Sequence, residues 1–366
     1  MAFGFFKKSA APAASGKDNP YRDLTVKNII RETSDSVSLV FEQPSEKITY
    51  RSGQFLTLIL TIDGKEERRS YSFSSAPDID SDLCVTVKRV NGGLVSNWLN
   101  DNLKAGDSVR VREATGQFTT EFAAAQKRHL VMLAGGSGIT PIMSIIKSVL
   151  TKEPQSRCTL IYCNRNAESI IFKTELEQWE NNCPGRLSIV HVLEKAAPDW
   201  KGYTGYLTPS ILQEALSASS ADGLEKSYWM CGPEIFMTRA AKYLAELSVP
   251  AEVVFKENFG GAAADKKKTE APADAKVRTV TIRYDDDEHK VQVEPGRSIL
   301  ESALEQGIDL PFSCQSGMCT ACRGKALAGK VELINQQGLS QAELGEGYVL
   351  TCVGRPLTDD VVIEIM

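Results

Sequence analysis

The chain has 366 residues, 42% of them hydrophobic and 24% charged, with a net charge of −5, an ordinary globular composition with length for two or three domains. No apolar run approaches the roughly 20 residues of a membrane-spanning helix. The N-terminal MAFGFFKKSAAPAASGKDNP lacks a secretory apolar core, and no basic stripe exists to pair nucleic-acid phosphates. A cytoplasmic setting is expected, where cysteines stay reduced unless metals or catalysis use them.

Behind a polar tail (1–19), the stretch from Tyr21 to about Phe122 reads as short strands: DLTVKNIIRE, SVSLVFE, QFLTLILTID, RRSYSFSS, DLCVTVKRV and DSVRVRE. Their β-branched and aromatic clusters, punctuated by Gly, Asn, Asp and Pro, favour an antiparallel barrel or sandwich. One helix interrupts it at LVSNWLNDNL. From His129 strands alternate with helices: HLVMLA before PIMSIIKSVL, TLIYCN before SIIFKTELEQWEN, LSIVHVLE before TPSILQEAL, SYWMCGP before EIFMTRAAKYLAEL, and VVFKENF last. That rhythm predicts a parallel sheet covered on both faces.

GGAAADKKKTEAPADAKV has nothing to bury and reads as a flexible tether. Beyond it come two strands with a polar turn, a helix starting near Ser298, a cysteine-rich stretch, KVELINQ and VVIEI. From Val277 onward 8 Lys and Arg stand against 14 Asp and Glu, an acidic module suited to steering toward a basic partner surface.

The cysteines of that module are the most specific signal. Cys314, Cys319 and Cys322 lie in CQSGMCTACRG, and Cys352 follows about thirty residues on. A disulfide suits the compartment poorly. Structural zinc usually takes paired knuckles or histidine partners. Three clustered cysteines as C-x4-C-x2-C with a distant fourth fit the plant-type [2Fe–2S] pattern better. The small Gly-containing loop between Cys314 and Cys319 can turn backbone N–H groups toward cluster sulfides. Cys84, Cys158, Cys163, Cys183 and Cys231 show no ligand spacing.

Two turns point to a nucleotide. GGSGITP, Gly135 to Pro141, joins an apolar strand to a helix, and CGP, Cys231 to Pro233, does the same later. Glycines let backbone approach a phosphate or nicotinamide, and both turns belong at the carboxyl edge of the sheet, where such folds bind ligands. In RRSYSFSS, Arg69 and Tyr71 share a strand face, while Ser72 points the other way unless the strand bends. A stacking ring beside a guanidinium would suit a flavin dinucleotide, but on the local sequence alone a surface-exposed strand with an ordinary aromatic is the better reading.

The ordered set RSYS, GLVS, GGSGITP, CGP and KENF resembles the ferredoxin–NADP reductase superfamily. With CQSGMCTAC and a fourth cysteine behind it, the chain is similar to three-domain reductase components of bacterial oxygenases, and most to the phenylacetyl-CoA epoxidase reductase group. The resemblance implies an antiparallel β-barrel FAD domain (20–124), an α/β parallel-sheet NAD(P) domain (125–259), a linker (260–276) and an α+β β-grasp [2Fe–2S] ferredoxin domain (277–366). It implies that Arg69 contacts the flavin pyrophosphate or ribityl, Tyr71 stacks on the isoalloxazine and Ser72 hydrogen-bonds near N5. Gly93, Leu94, Val95 and Ser96 would hold the pyrophosphate. Gly136, Thr140, Cys231, Gly232 and Pro233 would line the nicotinamide pocket, with Glu257 and Phe259 over the flavin's other face. Ser72, Cys231 and Glu257 are the expected catalytic set, and Cys314, Cys319, Cys322 and Cys352 the iron ligands.

No acidic residue ends the second strand of the nucleotide domain, at YCNR, to grip a ribose 2′-OH. Arg165 could pair with a 2′-phosphate instead, so NADPH is expected over NADH. A hydride donor and a one-electron cluster need a flavin between them. The expected activity is therefore NAD(P)H-driven electron transfer through FAD and [2Fe–2S] to an oxygenase, epoxidase or desaturase. A self-sufficient oxidase or quinone reductase and a redox-sensing binding protein are the alternatives.

Overall fold

The computed structural model describes residues 21–218, 223–259, 276–317, 319–336 and 338–365. The expected tail, and the expected tether up to residue 275, lie outside them.

The first unit is built from β1 (Tyr21–Thr33), β2 (Ser36–Phe41), β3 (Phe55–Ile62), β4 (Lys65–Ser72), β5 (Leu83–Lys88), α1 (Leu94–Asn102) and β6 (Ser108–Thr115). The strands lie in the order β4-β3-β6-β1-β2-β5, antiparallel throughout. Alternate positions such as Val37, Leu39 and Phe41, or Val85 and Val87, turn inward and are fully buried. Just past β4, Phe73 bridges Val85 on β5. The chain thus leaves one edge strand and meets the other, which closes the sheet into a barrel and removes its edges. α1 adds Val95 and Leu99 to the same core.

The second unit runs β7 (Arg128–Gly135), α2 (Ile139–Lys152), β8 (Arg157–Asn164), α3 (Lys173–Asn182), β9 (Leu187–Leu193), β10 (Tyr203–Thr204), α4 (Pro209–Ala218), β11 (Glu225–Gly232), α5 (Glu234–Glu246) and β12 (Val254–Asn258). Its sheet order is β10-β9-β8-β7-β11-β12, all parallel. Strand order reverses between β7 and β11, which opens a crevice at their carboxyl ends. The helix expected from Ser169 begins only at Lys173. Asn166 caps a short 3-10 turn at Ala167–Ser169, and Phe172 adopts φ 59°, so the chain bends before α3 can start.

α2 is buried along most of its length and packs against the barrel as well as its own sheet. Ser144 donates to the Ser75 carbonyl at 2.6 Å, and the Ser52 and Ser148 hydroxyls meet at 2.7 Å. Lys147, almost wholly buried, pairs with Asp80 of the barrel unit at 3.2 Å and with Glu175 of α3 at 2.7 Å.

The third unit comprises β13 (Arg278–Tyr284), β14 (Asp287–Val293), α6 (Ile299–Glu305), β15 (Arg323–Ala328), β16 (Val331–Leu333), α7 (Gln341–Gly345), β17 (Tyr348–Leu350), β18 (Gly354–Pro356) and β19 (Val362–Ile365). A mixed sheet β14-β13-β19-β15-β17 wraps α6, with β16 and β18 paired beside it. Ser298 and Glu301 form a reciprocal capping box that starts α6 as expected. Among the described residues, no helix is long and apolar enough to cross a membrane.

Candidate functional site

β4 carries the expected flavin residues along the barrel. Arg69 stands opposite Leu58 and Tyr71 opposite Leu56, two places apart and therefore on one face. Arg69 donates to the Arg68 carbonyl at 2.7 Å and pairs with Glu67 at 3.2 Å. Tyr71 is half-buried against the barrel core. Burial raises its phenol pKa while the Arg69 charge works against the rise, so the ring is neutral and available for stacking. Ser72 is buried and pairs with Phe55 at the last position of the ladder. The chain then switches partners at Phe73, a change of course right after Ser72.

Gly93 caps α1, and Leu94 beside it is 50% exposed while Val95 and Ser96 turn inward. The Ser96 hydroxyl accepts from the Val90 N–H at 3.0 Å, and Asn97 donates to the Gly93 carbonyl at 2.6 Å. These bonds fix the loop so that the first turn of α1 is presented outward. The N–H groups that a helix's first turn leaves without intrahelical partners suit an anion.

At the crevice the two glycine turns meet. A Cβ on Gly138 would lie 2.0 Å from the Cys231 carbonyl oxygen and 2.7 Å from the Gly232 nitrogen. Only a glycine allows that approach; Gly138 lies inside GGSGITP, but the resemblance gives a pocket role to Gly136 and none to Gly138. Gly136 sits at φ 51°, and Thr140 donates to the Ser137 carbonyl at 3.1 Å to tie the turn to α2. Pro233 caps α5 directly after Gly232.

Cys231, one residue before the end of β11, lies opposite Glu257 on β12. Both are buried. Burial pushes the Glu257 carboxyl up to about 8. It also lifts the Cys231 thiol well above its ordinary value, with the Glu257 charge adding to the rise. At neutral pH this end of the crevice therefore presents two protonated, uncharged groups. Phe259, next along, is half-exposed.

Arg165 is exposed just beyond β8. Its charge reaches Asp35 of the barrel. Partial burial works to raise the Asp35 carboxyl, but hydrogen bonds from Thr33 and Ser36 and the charges of Lys88 and Arg165 hold it below its ordinary value. Of the three histidines, His129 is buried against the Thr159 hydroxyl at 2.8 Å, and burial lowers it to about 4. It serves packing, far from any titration near pH 7.

The cysteine loop lies between α6 and β15, and Cys352 arrives from the end of β17. Hydrogen bonds from the Cys319 and Cys352 thiols hold Cys314 far below the ordinary thiol value. Sharing protons with Cys314 and Cys322 pushes Cys352 far above it. Only closely grouped sulfurs do this. The Ser316 and Cys319 N–H groups also donate to Cys314 Sγ, at 3.5 and 3.4 Å. Gly317, at φ 74°, lets the loop lie against Val353. The Thr320 hydroxyl is buried with no partner, a donor suited to a group the loop encloses. Among the described residues, no three His, Cys, Asp or Glu side chains form a single-ion site. Four grouped thiols with inward N–H donors fit a [2Fe–2S] cluster.

One contact joins the cysteine loop to the flavin strand. Phe55, 3% exposed, packs against Cys314, Cys319 and Ala321, and it is the ladder partner of Ser72. Phe55 lies in an ordinary apolar strand, QFLTLIL, and no sequence signal marks it.

Three family models match in series: "Oxidoreductase FAD-binding domain" over residues 22–120, "Oxidoreductase NAD-binding domain" over 132–242 and "2Fe-2S iron-sulfur cluster binding domain" over 282–357. The chain is 36% identical over 351 residues to the 3-ketosteroid-9-alpha-monooxygenase, ferredoxin reductase component, of Rhodococcus rhodochrous, covering 93% of this chain and 96% of that protein. It is 32% identical to one of the subunits of the 1,2-phenylacetyl-CoA epoxidase of Escherichia coli (strain K12), covering 94% and 97%. The solved phthalate dioxygenase reductase shares the fold, with a TM-score of 0.58 at 20% identity over 94% of this chain and 98% of that one. At such identity over nearly its whole length, and with all three domain types in order, the chain belongs to the family of three-domain reductase components of oxygenase systems.

Proposed function

We propose that this protein takes electrons from NAD(P)H and delivers them singly to an oxygenase, epoxidase or desaturase in the cytoplasm. The domains implied are FAD-binding at 20–124, NAD(P)-binding at 125–259 and ferredoxin at 277–366, joined by a linker at 260–276. Bound FAD would convert a two-electron donation into single-electron steps, and a bound [2Fe–2S] cluster would store one electron for the partner.

The chain's own residues hold these groups. Tyr71 offers its ring face and Arg69 its guanidinium to the flavin, Ser72 a hydroxyl near N5, and Gly93–Ser96 an anion site for the pyrophosphate. Gly136, Gly138, Thr140, Gly232 and Pro233 shape a slot in which backbone can approach the nicotinamide. Cys231 and Glu257 line it as neutral groups. Glu257 keeps its proton up to about pH 8, and a cationic pyridinium beside it would favour release of that proton. Arg165 is the residue proposed to select NADPH.

The observation that carries the reading is Phe55, which lies between Ser72 and the cysteines Cys314 and Cys319. It gives electrons a short, dry path from flavin strand to cysteine loop. Cys319→Ser tests it. The variant should lose the cluster's absorption bands, keep the flavin's, and keep NADPH-driven ferricyanide reduction while losing reduction of protein acceptors. Retained protein-acceptor reduction would refute the route. For the nucleotide, Arg165→Ala should raise KM for NADPH roughly tenfold, the worth of one charge-assisted contact, with KM for NADH unchanged.

A further inference from the structure

Beside the apolar packing of Phe55 on the cysteine loop, the third unit meets the barrel through hydrogen bonds, an ion pair and ring contacts. Tyr21 donates to Asp309 at 2.6 Å, and Arg68 donates to the other Asp309 oxygen at 3.3 Å. The Arg68 guanidinium also lies 4.5 Å from the Phe312 ring centroid. Arg112 donates to the Tyr284 hydroxyl at 2.6 Å, and the Arg110 and Arg112 guanidiniums flank the Tyr21 ring at 4.9 and 5.8 Å. The ferredoxin unit thus contributes a carboxylate and two aromatic rings, and the barrel contributes guanidiniums and one tyrosine. Phe312 is two residues from Cys314, so this face carries the approach to the cluster ligands.

The contact is lopsided in burial. Arg68 is 11% exposed, whereas Asp309 keeps 50% of its side chain in solvent. A half-solvated carboxylate makes a salt-screened bond that opens readily. The cysteines packed on Phe55 belong to the same face. An acceptor that approaches them closely must take the place of the barrel. The ferredoxin segment is acidic, with 8 Lys and Arg against 14 Asp and Glu, so a cationic acceptor surface would complement it as the barrel arginines do.

We propose that Asp309, Phe312 and Tyr284 form one docking face used twice: on the barrel's Arg68 and Arg112 for loading, and on a cationic surface of the electron acceptor for unloading. The two states exclude each other. The proposal rests on the reductase reading above and adds which residues alternate between partners.

The test uses the full holoprotein, with Asp309→Arg and the charge-exchanged double variant Asp309→Arg/Arg68→Asp. Two rates are read: cluster reduction after flavin reduction in anaerobic rapid mixing, and reduction of cytochrome c, a cationic protein probe, corrected for the rate of the Cys319→Ser chain. Asp309→Arg should slow internal cluster reduction about tenfold, as loss of one charge-assisted contact implies, and enlarge the molecule in solution scattering. NADPH-to-ferricyanide reduction should stay at its original rate, which shows that the variant is folded. The double variant should restore internal cluster reduction but leave cytochrome c reduction slow, because the face now carries the acceptor's own sign. If Asp309→Arg leaves internal transfer unchanged, the loading contact is wrong. If the double variant restores both rates together, the acceptor does not use this face. If the unaltered protein never reduces its cluster, the reductase reading fails instead.

Discussion

Gly138 shows how a single missing side chain can decide a site. A Cβ there would meet the Cys231 carbonyl oxygen at 2.0 Å, so Gly138→Ala must push the two glycine turns apart. Displacement of that order at a reacting centre costs roughly a hundredfold. We expect the variant to bind flavin but to reduce it with NADPH about a hundredfold more slowly in stopped-flow mixing. An unchanged rate would mean that the turns do not shape the nicotinamide slot. GGSG and CGP are legible in the sequence as separate turns. Their contact is not, because it depends on β7 and β11 becoming neighbours across the sheet's switch point. Glu257 has a measurable signature as well. The folded protein binds its proton more tightly than the unfolded chain does. Its contribution to stability is therefore full below about pH 4.5 and is lost as pH rises to about 8, at up to ~1.4 kcal/mol per pH unit. Melting curves of Glu257→Gln should show the variant gaining on the original protein as pH rises through that window. A constant difference would contradict the buried, protonated state.

At the scale of elements, α2 is the member that orders the site. Its start carries Thr140, and its far turns hold the barrel through Ser144, Lys147 and Ser148. Lys147→Ala removes a buried ammonium shared by Asp80 and Glu175, and hydrogen bonds to charged groups are worth about 1.5–3 kcal/mol each. Those carboxylates are partly solvated, so we expect about 2 kcal/mol of destabilisation in denaturant unfolding. A loss below about 0.5 kcal/mol, the range of ordinary surface changes, would show that the seam is not held there. Strands and helices of the first two units are readable because their apolar periods are strong. The late ferredoxin strands are not. β15, β17 and β18 are short, and RGKALA looks polar until β19 and β17 pair with it on either side. Phe172 likewise shortens α3 through a backbone conformation that its residue type does not announce.

Across the whole molecule, the cysteine spacing foretells a cluster, and the ordered motifs foretell a flavin and a nucleotide. The sequence does not reveal where the third unit sits, because Tyr21, Arg68, Asp309 and Phe55 are ordinary residues until the fold brings them together. That seating brings Phe55, the ladder partner of Ser72, against Cys314 and Cys319, the arrangement on which the proposed electron route rests. Transfer of electrons across this seam within one chain can be followed by anaerobic rapid mixing with NADPH. The flavin band should bleach first and the cluster band second, at a rate independent of protein concentration. A cluster that stayed oxidised while flavin was reduced, or a second phase that grew in proportion to protein concentration, would contradict it.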